Sequence, residues 1–219
     1  MFPRIVRIGG LAGPIVLLAG VVLPAVAYTG RAGEAYSPFN HFISELGEVG
    51  VSSLAWLFNG SLVVSGLLMA VYLGFLGRHL GTRLGWAAGL AGAIAGLGVS
   101  AVGLLPMNDL KPHLRAAFTF FDGGLVTVVL LSAAVLRDPR RRLARWLLVP
   151  AAAAGLAFAS FLAWPWIAGA PDLRMLDPAS GVPRLDVWGI AVAEWAVLVT
   201  VVGFIACSAL ALGRRKAQA

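Results

Sequence analysis

One short segment carries a histidine and a carboxylate at a spacing suited to acid–base or metal chemistry. His41 and Glu45 are four residues apart within residues 36–47, and residues at this spacing lie on the same face of a helix. A carboxylate beside an imidazole orients the ring and raises its basicity, so the pair could act as a general base or as half of a metal site. The alternative is a solvated helix face with a weak ion pair.

A second polar pair follows the third apolar run of the sequence. Asp109 and His113 are also four residues apart, but Pro112 lies between them, and proline is typical of a helix start. Asp109 is therefore expected to precede the helix instead of sharing its face with His113. Both side chains would face one site if the connection folds back; otherwise Asp109 caps a loop.

Two carboxylates fall inside apolar segments. Asp122 and Glu194 each lie roughly two helical turns from the start of an apolar segment. At that depth in a membrane an unpaired charge is expensive, and ionisable groups usually mark function. Helix geometry puts Asp122 opposite His113 and on the same face as Arg115. We expect Asp122 to be protonated or balanced by Arg115, and Glu194 to be balanced by His41 or His113. A structural polar tie and a direct functional role both fit these two acids.

The candidate site therefore comprises seven polar residues: His41, Ser44, Glu45, Asp109, His113, Asp122 and Glu194. If a zinc-like ion is bound, its expected ligands are His41, Glu45 and His113. Nothing in their spacing enforces a tetrahedral geometry, and shared hydrogen bonds would satisfy the same groups. We predict no metal and no cofactor. Phosphate-loop, HExxH, CxxC and GxSxG motifs do not occur in the sequence, so the familiar chemistries that use them lack support.

The elements that must position these residues are membrane-spanning helices. The 219 residues are 59% hydrophobic and 12% charged, whereas soluble domains are about 25% charged. Six apolar runs reach the roughly 20 residues needed to cross a bilayer: approximately 8–28, 54–77, 84–105, 114–136, 146–168 and 187–212. They predict an all-α fold, a six-helix transmembrane bundle formed by residues 1–219 as a single integral membrane domain. Glycines at helical spacing in the third run indicate close packing at the centre of the bundle.

The first connection is predicted to contain a short amphipathic helix at the membrane interface. Ser37 and Pro38 supply start signals and Gly47 a stop signal. On a helical projection the polar and apolar residues separate into opposite arcs, with Asn40, His41, Ser44 and Glu45 facing Phe39, Phe42, Ile43 and Leu46. The segment is expected to lie along the outer interface, with its polar face toward the bundle mouth or water.

Charged residues predict the orientation of the bundle. All but five of the 17 lysine and arginine residues fall on the side that carries both chain ends, and basic residues mark the cytoplasmic side. Asp138 is the single acidic residue on that side. We expect both termini in the cytoplasm and the candidate site at the opposite face. The basic residues form short clusters at helix ends, which argues against nucleic-acid binding, and arginine in place of lysine favours a prokaryotic plasma membrane.

Several motifs resemble one family of membrane proteins. Tyr36-Ser37-Pro38, Ile43-Ser44-Glu45-Leu46-Gly47, and Gly103-Leu104-Leu105-Pro106 with Asp109 and His113 are similar to the bacterial and archaeal proteins grouped as domain of unknown function 998. The resemblance covers nearly the whole chain and implies six spans without an established activity. In that family an arginine often follows the late acid, whereas Trp195 follows Glu194 here.

Three classes of function remain open at this point. The leading hypothesis is a membrane protein, surrounded by lipids, whose outer-face polar site binds a lipid headgroup, a small molecule or an ion. The alternative is an intramembrane lipid-processing hydrolase or transferase that is metal-dependent or metal-free. A transporter is disfavoured, because the spans show neither paired broken helices nor an inverted repeat.

Overall fold

Six apolar helices account for most of the structure, as predicted. A computed structural model describes residues 3–214, with side chains through residue 212. The helices are α1 Arg4–Val26, α2 Ala55–Leu80, α3 Arg83–Leu104, α4 Leu110–Arg137, α5 Leu148–Ile167 and α6 Gly189–Arg214. All six are long and apolar enough to cross a membrane, and the described residues form no β-strand. The chain is a multi-pass membrane protein with an all-α fold.

The helices form a closed ring in chain order. Each helix packs on the next, and α1 also contacts α6, which closes the ring. Large apolar side chains cover the outside, such as Leu90, Val149 and Leu156, which are at least 65% exposed. A surface of this kind is stable against lipid chains but not against water. The ring is therefore surrounded by lipid.

The closest helix pair is α2 with α3, joined by a two-residue turn. Gly81 ends α2 in the left-handed region at φ 60°, where glycine avoids a steric penalty. Thr82 starts α3, and its hydroxyl accepts a hydrogen bond from the backbone N–H of Gly85. A Cβ added at Gly96 would lie 2.5 Å from the backbone nitrogen of Ala70 on α2. The predicted close packing of the glycine stripe is confirmed, but α3 lies between α2 and α4 and is not central.

The longer connections lie at one end of the ring. We call this end the capped face; it carries residues 27–54 and 168–188 and is the end predicted to be extracytoplasmic. At the opposite end, Asp138 is buried and accepts hydrogen bonds from the backbone N–H groups of Arg140 and Arg142. The Arg142 guanidinium donates to the carbonyl of Leu80 at the end of α2. The one acidic residue among these basic ones therefore folds their connection onto the bundle.

The amphipathic helix predicted in the first connection is shorter and more deeply buried than expected. Only Ile43–Gly47 is helical, as a 3-10 helix, and residues 38–41 form turns and a bend. The Ser37 hydroxyl accepts from the backbone N–H of Phe39 and so shapes a turn instead of capping a longer helix. Polar His41 and Glu45 are as buried as apolar Leu46. Residues 37–48, here called the roof segment, thus cover the capped face of the ring, with His41 and Glu45 buried against the protein.

Candidate functional site

An ion pair ties the roof segment to the connection between α5 and α6. The Arg184 guanidinium donates to both carboxylate oxygens of Glu45, at 2.9 and 3.1 Å, and to the backbone carbonyl of Asn40 at 2.7 Å. Glu45 also accepts from the backbone N–H of Phe42 at 2.7 Å. Burial raises the pKa of Glu45, and the arginine opposes that shift. Glu45 is therefore bound to Arg184 and not to His41, because turns replace the helix that would have aligned the two.

His41 is enclosed by aromatic rings. Its ring centroid lies 5.6 Å from that of Tyr28 and 5.2 Å from that of Tyr36, and the residue is 2% exposed. Nδ1 lies 2.7 Å from the side-chain oxygen of Asn40. Nε2 has no hydrogen-bond partner and lies 3.8 Å from a carboxylate oxygen of Glu34. Burial lowers the pKa of His41, and the nearby Arg184 lowers it further. The imidazole is therefore neutral at neutral pH.

Glu194 connects α6 to the roof segment. One carboxylate oxygen accepts a hydrogen bond of 2.7 Å from the backbone N–H of Ile43, which opens the 3-10 helix and so has no partner within it. The expected partners, His41 and His113, bind other groups instead: His113 Nδ1 lies 2.8 Å from the carbonyl oxygen of Leu105. The neighbouring Trp195 donates from its indole N–H to the Tyr36 hydroxyl at 3.0 Å. Two consecutive residues of α6 therefore bind this region: Glu194 binds the roof segment at Ile43, and Trp195 binds the Tyr36 hydroxyl.

An apolar cavity lies in the centre of the ring beneath the roof segment. Its volume is about 110 Å³, and every helix except α5 contributes to its wall. The polar residues Ser44, His113 and Glu194 lie toward the capped face, and Ser65 lies deeper on α2. The remaining wall is apolar apart from glycines, and includes Leu17, Met69, Phe121, Val201 and Ile205. The cavity therefore has a polar upper end and a long apolar body.

The structure brings five of the seven predicted site residues to the roof or the cavity: His41, Ser44, Glu45, His113 and Glu194. Asp109 lies at the start of α4 with an exposed side chain. Its backbone carbonyl accepts from the N–H of His113, as the first turn of a helix requires. The connection does not fold back, so the side chain of Asp109 remains outside the site.

Asp122 also lies apart from the site, on the outward face of α4. It is exposed, as is Arg115 on the same face, and no ion pair joins them among the described side chains. The expectation of an Arg115–Asp122 ion pair is wrong, because the two side chains start about 10 Å apart along the helix. Helix geometry did correctly separate Asp122 from His113.

No metal-binding group of three His, Cys, Asp or Glu side chains occurs within residues 3–214. The trio proposed for a metal, His41, Glu45 and His113, is divided among different partners. Glu45 is bound to Arg184, and the Nδ1 atom of His113 is bound to Leu105. These residues are therefore better described as ties between elements than as a ligand set.

Sequence reasoning missed the residues that organise the roof segment. Arg184 lies 139 positions from Glu45 in a connection without helical periodicity. Tyr28 carries no sequence signal, and Tyr36 and Trp195 enter only through the family resemblance. The one available signal was that the acidic candidates need a basic partner. The capped face carries five basic residues, and Arg184 is the one near the start of the last span. No sequence pattern indicates the cavity, which depends on how the helices pack.

These features define a class of protein: an α-helical, multi-pass membrane protein whose ring of spans lines an apolar cavity beneath the roof segment. Residues 11–211 match the family model described as "Protein of unknown function (DUF998)", so the chain belongs to that family. Neither the curated proteins nor the solved structures gave a match. Any function must therefore be argued from the cavity and its polar end.

Proposed function

We propose that the protein binds an amphiphilic small molecule or lipid in the central cavity, with its polar head beneath the roof segment and its apolar chain toward the membrane centre. The observation that carries this proposal is the cavity itself, apolar along most of its wall and polar at one end. A ligand with the same polarity gradient would make dispersion contacts with the apolar wall and place its polar group at the polar end.

The dimensions of the cavity suit part of an alkyl chain or a compact ring. Its wall on α6 extends from Glu194 to Ile205, which corresponds to roughly 16 Å along a helix axis. Its volume of about 110 Å³ is comparable to the roughly 150 Å³ apolar cavity that stays dry and accepts benzene in an engineered protein. Water alone is a poor occupant, because few polar groups line the lower part.

The contacts around the polar end favour binding over hydrolysis. A lipid hydrolase would need a nucleophile beside a base, for which Ser44 and His113 are the cavity's candidates. The Ser44 hydroxyl contacts the Met107 sulfur at 3.5 Å, and His113 Nδ1 bonds to the carbonyl of Leu105. Neither residue is a hydrogen-bond partner of the other in the described structure.

A cavity-filling substitution tests the proposal directly. Val201→Phe on α6 places a larger side chain in the cavity. Val199→Phe, a matched control two residues earlier, points outward from a position that is 59% exposed. Native mass spectrometry of gently solubilised protein should show a bound amphiphile in the wild type and in Val199→Phe, and loss of that mass in Val201→Phe. Equal binding in all three proteins, or none even after amphiphile is added, would contradict the proposal.

A further inference from the structure

We propose that the head group bound beneath the roof segment is a hydrogen-bond donor without negative charge, a hydroxyl or an amine, and not a carboxylate or a phosphate. This inference rests on the proposed function and narrows the chemical class of the ligand. It follows from which polar atoms reach the cavity and which charges do not.

The open polar atoms at the polar end of the cavity are mostly acceptors, because the Ser44 hydroxyl there already donates to the Met107 sulfur. His113 Nδ1 must donate its proton to the Leu105 carbonyl, so Nε2 of the neutral ring is left as an acceptor. One oxygen of Glu194 accepts from Ile43, and the other has no partner among the described hydrogen bonds. The Ser65 hydroxyl, deeper in the wall, contacts the Leu62 carbonyl of its own helix, which leaves its lone pairs open. A donor head group would satisfy these atoms.

Positive charge is missing from the cavity wall. No lysine or arginine lines it within the described chain. Arg184 and Arg31 are already paired with carboxylates of the roof segment, Arg184 with Glu45 and Arg31 with Glu48. Lys111 and Arg115 are exposed on α4. An anion buried without a counter-charge pays a large desolvation penalty, so a fatty acid or a phospholipid phosphate is poorly matched whether or not Glu194 is ionised.

Three ligands with the same chain and different heads test this inference: dodecanol, dodecylamine and dodecanoate. Binding to the detergent-purified full chain is measured by native mass spectrometry titration near neutral pH. Dodecanol and dodecylamine should bind, and dodecanoate should bind at least tenfold more weakly, the ratio expected from one unmet charged hydrogen bond. Dodecanoate binding as tightly as dodecanol would overturn the head-group inference and leave the proposed function standing. If none of the three binds, the proposed function itself fails.

A conservative variant separates charge from shape at the polar end. Glu194→Gln keeps an acceptor for the Ile43 N–H but removes the carboxylate, so dodecylamine affinity should fall about tenfold relative to dodecanol. Asp122→Asn makes the same chemical change on the outward face of α4 and should alter neither affinity. An unchanged amine-to-alcohol ratio in Glu194→Gln would contradict the assigned role of Glu194. If that variant does not fold, the comparison of the three ligands with the wild type still decides the inference.

Discussion

Arg184 joins two connections that are far apart in sequence. Its guanidinium is mostly buried and makes three hydrogen bonds, two to Glu45 and one to the backbone of the roof segment. A planar guanidinium fits a carboxylate in this two-bond geometry, which lysine cannot reproduce. At the scale of single residues, the position of the roof segment therefore depends on Arg184 as much as on its own sequence.

Replacing Arg184 should destabilise the protein strongly. The Glu45 side chain is 4% exposed in the wild type. In Arg184→Ala it keeps one backbone donor but loses its counter-charge, and breaking a buried pair costs about 3 kcal/mol. Thermal unfolding of the purified protein should show a clear decrease in Tm. Adding Glu45→Gln should recover part of the loss, since it removes the unpaired charge.

A second ion pair provides the matched control. Arg174 also binds an acid, Asp172, but at an exposed position where the arginine side chain is 75% accessible. Exposed pairs contribute little to stability, so Arg174→Ala should leave Tm nearly unchanged. An equal decrease in both variants would show that the Arg184–Glu45 contact has no special importance.

Among the elements, α2 and α3 depend on backbone contact more than on side chains. Glycines on both helices remove the side chains that would separate them, and α3 places Gly96 against Gly66 and Ala70. Close approach lets dispersion contacts and weak Cα–H hydrogen bonds form along the interface, which matters in lipid where hydrophobic association is missing. This pair provides a firm wall on one side of the cavity.

Adding one methyl group at this interface should be enough to weaken it. In Gly96→Ala, the new Cβ would be 2.5 Å from the Ala70 nitrogen and 2.7 Å from the Gly66 carbonyl oxygen, so the helices must separate, at about 1–3 kcal/mol. Gly74→Ala on α2 is the control, because nothing lies within 4 Å of its Cβ position and alanine favours the helix. Unfolding in a mild detergent should show lower stability for Gly96→Ala alone. A similar loss in both variants would contradict a packing effect specific to the interface.

Hydropathy was sufficient to predict the helices, because each span must satisfy its backbone hydrogen bonds internally and contact lipid. It could not predict the roof segment. Helical spacing treated residues 37–47 as a surface helix, whereas Arg184 and Glu194, 139 and 151 positions from their partners, hold it as buried turns. Local pattern describes periodic elements, but it does not describe a buried irregular segment whose polar groups are satisfied by distant residues. Five of the seven candidate residues lie at the roof segment or the cavity, with partners other than the expected ones, and their role as a functional site stays a prediction.

At the scale of the whole molecule, the two ends of the helix ring differ in structure and in charge. The roof segment and the polar end of the cavity share one face, and most basic residues lie at the other, including Arg140, Arg141 and Arg142 in the connection before α5. A ligand entering under the roof would therefore come from the side with few basic residues. Which side of the membrane that is follows from the positive-inside rule and remains a prediction.

We expect the capped face to be outside and both termini inside the cell, and labelling of single cysteines can test this. Cys207 is the only cysteine, so Cys207→Ala gives a background without thiols. Ala179→Cys introduces one at an exposed position on the capped face, and Pro139→Cys does so at an exposed position on the opposite face. A membrane-impermeant maleimide should label Ala179→Cys in intact cells and Pro139→Cys only after permeabilisation, because short basic connections are retained in the cytoplasm. The reverse pattern would invert the bundle and place the roofed end of the cavity toward the cytoplasm.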